Sequence, residues 1–221
     1  MTGVYHIQKR RNIFSGMSVN FTLVLINVVL FILFSILISK SQSYINFIAI
    51  KPSNILQGNY LWTIITSMFM HGGFFHLFVN MLTLFFIGGF VERLLGSKRY
   101  FWFYMASGIF AALAFVALSL VFVSDFNAYA VGASGALFGI IGLLMVLTPN
   151  LPVMIMFIPI PVKMKYAAPG ILVVLWIISI AGNVPIGNVA HLGGFALGIV
   201  YGFYLKKKYK KKTEHISRLF S

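Results

Sequence analysis

Six apolar runs alternate with shorter polar, basic or turn-rich segments along this chain. They fall at about 18–39, 74–90, 100–123, 133–148, 166–181 and 189–205. Uncharged runs of this kind predict helices that cross a bilayer, for which roughly 20 apolar residues are needed. Several runs are shorter than that, and the fourth is followed by the apolar stretch 151–160, which either lengthens it or forms an interfacial loop. The first run follows Lys9, Arg10 and Arg11, as the core of a signal peptide would. It is about 22 residues long, lacks a small-residue cleavage site and precedes further apolar runs, so it predicts a retained span. The expected fold is therefore all-α, a polytopic six-helix membrane bundle over 17–205, with a short segment 1–16 before it and a basic tail 206–221 after it.

The 30 or so residues between the first two runs break the pattern. Pro52, Asn54, Gly58 and Asn59 form turns, while Tyr60 and Trp62 suit the membrane interface. A flexible linker would be more polar, so a structured, partly embedded loop is expected.

Charge orients the scheme. Arg93, Lys98 and Arg99 lie between the second and third runs, Lys163 and Lys165 between the fourth and fifth, and six lysines from Lys206 to Lys212 after the sixth. The alternate loops hold only Lys40, Lys51 and Asp125. By the positive-inside rule both termini face the cytosol and the 40–70 loop faces outward. The net charge of +14 is thus divided among topology signals, and no nucleic-acid partner is expected. The lysine-rich tail is expected to anchor the topology and to contact anionic lipid headgroups. A multi-pass protein of a bacterial plasma membrane fits this pattern.

Composition removes several chemistries. With 60% hydrophobic and 9% charged residues, the chain is an integral membrane protein. It has no cysteine, which excludes disulfides, thiolate metal sites and a cysteine nucleophile. Its three acids are Glu92 at the cytosolic end of the second run, Asp125 in an outer loop and Glu214 in the tail. A paired-aspartate protease, an HExxH zinc protease and a transporter driven through an intramembrane acid all lack their parts.

What remains is His71, His76 and Asn80 in HGGFFHLFVN, Ser134 in VGASGALFGI, and His191. All three segments enter the membrane from the predicted outer side, so these residues share one depth. Without a carboxylate or a third aligned imidazole they make a poor metal site, and neither metal nor cofactor is expected. Ser134 alone reads first as a spacer, because Gly135 and Gly139 let helices pack closely. From His191, however, Gly194, Gly198 and Gly202 follow within about 60° of one helical face. Two glycine-lined helices can bring a short serine side chain to an imidazole, and a nucleophile–base hydrogen bond spans only about 2.6–3.2 Å. With no acid at hand, the arrangement is a Ser134–His191 dyad. His76, Asn80 and the Ser134 backbone N–H are candidate donors to an oxyanion. The GxSxG elbow of soluble hydrolases is absent, since position 136 is Ala.

In combination, HGGFFHLFVN, GASG (with Gly132) and AHLGGFALG resemble the rhomboid family of intramembrane serine proteases, in its minimal six-helix bacterial form. GGFVERLLGSKRY, with Glu92 and Arg93, resembles the family's link between its second and third helices, and the likeness covers about 62–202. The resemblance implies that Ser134 is the nucleophile and His191 the base, that His76 and Asn80 stabilise the oxyanion, and that His71 supports them by hydrogen bonding. Many members have Trp-Arg where this chain has Trp62 and Thr63. Some have a tyrosine where it has Phe138, whose ring can still pack against an imidazole. The implied activity is cleavage of single-span membrane proteins near the outer end of their transmembrane segment, with the fifth span and the outer loop governing lateral access. The alternatives are a catalytically silent rhomboid-like protein that binds membrane clients, and a small transporter or channel. Against the last, the polar residues do not continue to the cytosolic side.

Overall fold

The computed structural model describes residues 17–155, 158–182 and 187–220. Lys9, Arg10 and Arg11, and the rest of segment 1–16, lie outside the described residues. Six helices form the bundle: α1 Val19–Lys40, α2 Phe74–Leu95, α3 Ser97–Leu118, α4 Ser134–Leu147, α5 Met164–Gly182 and α6 Asn188–Lys208. A seventh, α7 Lys210–Arg218, follows α6 after one residue. Five of the six are long and apolar enough to cross a membrane, and α4 is a shorter apolar helix of 14 residues. The protein is a multi-pass membrane protein.

Three helix ends differ from the sequence expectation. α2 does not stop near 90, because a π-helical turn at Leu84–Gly88 carries it on through Gly89–Leu95. α3 stops at Leu118 instead of about 123, where Ser119 Oγ donates to the Val116 carbonyl at 2.7 Å. α6 runs on past 205 to Lys208, its last lysines lying at the helix C-terminus, where the dipole favours cations. The stretch 151–160 does not lengthen α4. Thr148 Oγ1 donates to the Leu144 carbonyl at 3.0 Å, Pro149 follows, and Pro152–Val153 pairs antiparallel with Val162–Lys163.

α4 is the axis of the bundle, buried from Gly135 through Leu144. In lipid no hydrophobic force drives helices together, so close packing of small residues must do it. A Cβ added at Gly194 would run into the Gly135 carbonyl, and one at Gly198 into the Gly139 carbonyl. On the opposite side Gly135 faces Ala111 and Gly139 faces Ser107, both of α3. α4 is therefore clasped between α6 and α3 at near backbone contact.

α1 is held differently. The Glu92 carboxylate accepts from the backbone N–H groups of Val19 and Asn20, each at 2.9 Å, and from Ser97 Oγ at 2.6 Å. It thereby satisfies donors that a helix N-terminus leaves free. Asn20 Nδ2 donates to the Phe85 carbonyl inside the π turn at 3.2 Å, and Tyr100 Oη donates to Asn20 Oδ1 at 2.5 Å.

The 41–73 loop is structured, with short helical turns at Ile45–Ile48, Pro52–Leu56 and Thr63–Thr66. Trp62 Nε1 donates to the Phe47 carbonyl at 2.9 Å, and the rings of Phe47 and Tyr60 meet edge to face at 4.9 Å. Thr63 Oγ1 donates to the Tyr60 carbonyl at 2.8 Å. Thr63 thus closes a local turn here. The loop also grips the segment leading into α4. Ile50 and Ala130 exchange both backbone hydrogen bonds, Ser53 N–H donates to the Phe126 carbonyl, and Gly132 N–H donates to the Ser67 carbonyl at 2.9 Å.

At the opposite end of the bundle the basic tail is helical and docked. Arg99 donates to Tyr209 Oη at 3.1 Å, Thr213 is buried, and Phe220 meets Phe90 edge to face at 6.1 Å. Lys210, Lys211, Lys212 and His215 face outward.

Candidate active site

Ser134 opens α4 and His191 lies in the first turn of α6. Because the glycine contacts draw these helices together, Ser134 Oγ and His191 Nε2 stand 2.7 Å apart. A methyl at Gly194 or Gly198 would force the helix backbones apart. Phe138, one turn below Ser134, stacks on the His191 ring with centroids 4.5 Å apart and planes 27° from parallel. His191 is buried, and among the described residues its Nδ1 has no hydrogen-bond partner. The imidazole is therefore set by a stacked ring and by Ser134, with no carboxylate behind it. Such a pair can pass the serine proton to a neutral imidazole.

The pair is sunk below one end of the bundle. Gly135 packs at the level of Ala111, and the rest of α3, up to Leu118, rises about 10 Å beyond it at 1.5 Å per residue. Ser134 itself remains partly exposed, so the site opens toward that end.

His76 reaches the same place from α2. Gly132 has φ +127, a left-handed value that favours glycine, and it lies against this ring. A Cβ built there would stand 3.0 Å from His76 Nε2 and 3.6 Å from Ser134 Oγ. His76 and Ser134 thus converge on the space in front of Gly132. Asn80, one turn further along α2, is buried, and its Nδ2 donates to the His76 carbonyl at 2.8 Å. That bond engages one of its two N–H groups and braces the backbone that carries His76.

His71 is not on a helix. It sits in the loop before α2, so the divergence of about 140° that two residues five apart would show on a helix does not apply. The two rings instead meet edge to face at 5.2 Å. His71 is fully buried, and its Nε2 accepts a long 3.5 Å hydrogen bond from the Ala133 N–H, one residue before Ser134. Among the described residues, no group of three or more His, Asp or Glu is placed to hold a metal ion.

Two further contributions to the site had no side-chain signal in the sequence. The Ser67 carbonyl and the Gly72 N–H both act through the backbone, on Gly132 and on His76 respectively.

The fold and site define a multi-pass helical membrane protein with a serine–histidine pair sunk into its bundle. The family model of the rhomboid domain matches residues 58–208. Rhomboid protein 1, mitochondrial, of Saccharomyces cerevisiae is 31% identical over 171 residues, covering 72% of this chain and 47% of its own length. RHOMBOID-like protein 1 of Arabidopsis thaliana is 36% identical over 160 residues, 70% of this chain and 37% of its own. Rhomboid protease GluP of Bacillus subtilis is 37% identical over 107 residues, 48% of this chain and 20% of its own. The chain belongs to the rhomboid family, which includes serine proteases, and its match spans less than half the length of each of these relatives.

Proposed function

We propose that the protein is an intramembrane serine endopeptidase that cleaves single-span membrane proteins near one end of their transmembrane segment. The observation that carries this is the 2.7 Å approach of Ser134 Oγ to His191 Nε2 inside the bundle. Ser134 Oγ attacks the scissile carbonyl carbon while its proton passes to His191 Nε2. The oxyanion accepts from His76, from the second N–H of Asn80 and from the Ser134 backbone N–H. His191 then protonates the departing amine, leaving an acyl group on Ser134. Water attacks that ester with His191 again taking the proton, which releases the second product and restores the serine.

Substrate must reach the site with its main-chain carbonyls free of helical hydrogen bonds. Segments with glycine or other weak helix formers near the cleavage point fit best. On this reading the termini lie in the cytosol, as the basic clusters support, and Ser134 lies toward the outer face of a bacterial plasma membrane. α5 and the 41–73 loop flank the lateral route, and the lysine-rich tail contacts anionic headgroups.

The test uses purified protein in detergent with a fluorophosphonate probe and a single-span reporter. Wild type is expected to label and cleave, and Ser134→Ala to do neither. Equal cleavage by the two ends the serine-protease mechanism. A wild type that neither labels nor cleaves any of several reporters supports the client-binding alternative.

A further inference from the structure

Gly72 has no side chain and no part in the chemistry above, yet its N–H donates to His76 Nδ1 at 3.2 Å. A backbone amide can only donate, so Nδ1 must offer a lone pair, and the ring's one proton then sits on Nε2. Nε2 lies with Cε1 on the edge of the ring that faces Gly132, in the space shared with Ser134 Oγ. The far side of the ring is thus fixed by Gly72, and the backbone carrying it is fixed by Asn80 Nδ2 on the His76 carbonyl.

We infer that the Gly72 N–H is a positioning group: it holds His76 as the neutral tautomer with its proton on Nε2, so that this N–H is aimed at the oxygen that becomes negative on attack by Ser134. The opposite tautomer would present a lone pair to the oxyanion and repel it. An imidazolium would set Nδ1–H against the Gly72 N–H, donor against donor. Only the neutral Nε2–H form satisfies both ends of the ring. The purpose of the device rests on the protease mechanism proposed above, but the hydrogen bond and the tautomer are measurable without activity.

The experiment is 15N NMR on full-length protein labelled at histidine and glycine, with His76 assigned by the signals lost in His76→Gln. The expected spectrum shows an unprotonated Nδ1, a protonated Nε2 and a coupling across the hydrogen bond to the Gly72 amide nitrogen. A protonated Nδ1 at neutral pH overturns the inference. Two variants add function. Gly72→Ala keeps the N–H, and its Cβ would lie 3.7 Å from His76 Nδ1, an ordinary contact. Gly72→Pro removes the N–H. With the reporter, Gly72→Pro is expected to lower kcat on the order of 10²-fold with little change in KM, and Gly72→Ala to stay near wild type. A Gly72→Pro enzyme with wild-type kcat refutes the positioning role. If that variant does not fold, the wild-type spectrum decides alone. Loss of labelling and cleavage in wild type would remove the protease mechanism, whereas a wrong tautomer in an active enzyme removes only this inference.

Discussion

Every residue of α4 from Gly135 to Leu144 is buried, whereas α1 turns Phe21, Leu25, Val29, Ile32 and Ile36 outward. Both helices are strongly apolar, so hydrophobicity does not explain the difference. In a bilayer a leucine gains little by leaving lipid for protein, and position is decided by what lipid cannot supply. For α4 that is close backbone contact through Gly135, Gly139, Gly194 and Gly198. For α1 it is the polar clamp at one end, where Glu92, Asn20 and Tyr100 interlock. The seam carries the candidate chemistry at its open end. The clamped helix only leans on the bundle, and most of its surface faces lipid.

The contrast can be broken at points of decreasing force. Ser134→Ala, at the end of the seam, is expected to abolish reporter cleavage by on the order of 10⁴-fold or more, with thermal unfolding unchanged. In the wild type, cleavage should also fall as pH drops, because His191 must be neutral to take the serine proton. A pH–rate profile that rises into acid would contradict that role.

Gly194→Ala comes next. Its methyl meets the Gly135 carbonyl, so overpacking of about 1–3 kcal/mol is expected, along with at least ~10²-fold loss of cleavage as Ser134 and His191 separate. Gly170→Ala in α5 is its control, since a Cβ there meets nothing within 4 Å. Melting and cleavage of the pair separate a seam effect from a generic glycine effect.

Glu92→Ala tests the clamp. It leaves the Val19 and Asn20 N–H groups without their acceptor, at a cost of about 1–3 kcal/mol. Proteolytic sensitivity of the α1 N-terminus should rise more than the specific activity falls. Phe138→Ala removes the ring stacked on His191, an interaction worth about 0.5–1.5 kcal/mol, and should lower kcat by roughly tenfold or less. Smallest of all, Ile32→Ala on the lipid face of α1 should shift stability within about ±0.5 kcal/mol. An effect there as large as that of Gly194→Ala would erase the distinction between the two helices.

Much of this was legible in the sequence. The apolar runs located all six helices, and the stripe of Gly194, Gly198 and Gly202 after His191 identified the face that meets α4. The convergence of His76, Ser134 and His191 followed from their sharing one end of alternate spans. Helix ends were less legible. The π turn at Leu84–Gly88 depends on Asn20 and Tyr100 from other helices, and the stop at Thr148 depends on a side chain folding back on its own turn. The bracing of the 41–73 loop depends on Trp62 and Thr63 bonding to the Phe47 and Tyr60 carbonyls, which residue type alone does not determine.

The sequence by itself determined which segments are apolar enough to cross the membrane and which polar residues they carry. These depend on residue type and spacing, which lipid reads directly. The tertiary structure alone decided that His71 lies off the helix beside His76, that Asn80 braces a carbonyl, and that the Ser67 carbonyl and Gly72 N–H hold Gly132 and His76 in place. Backbone groups are the same at every residue, so only the fold determines which of them meet.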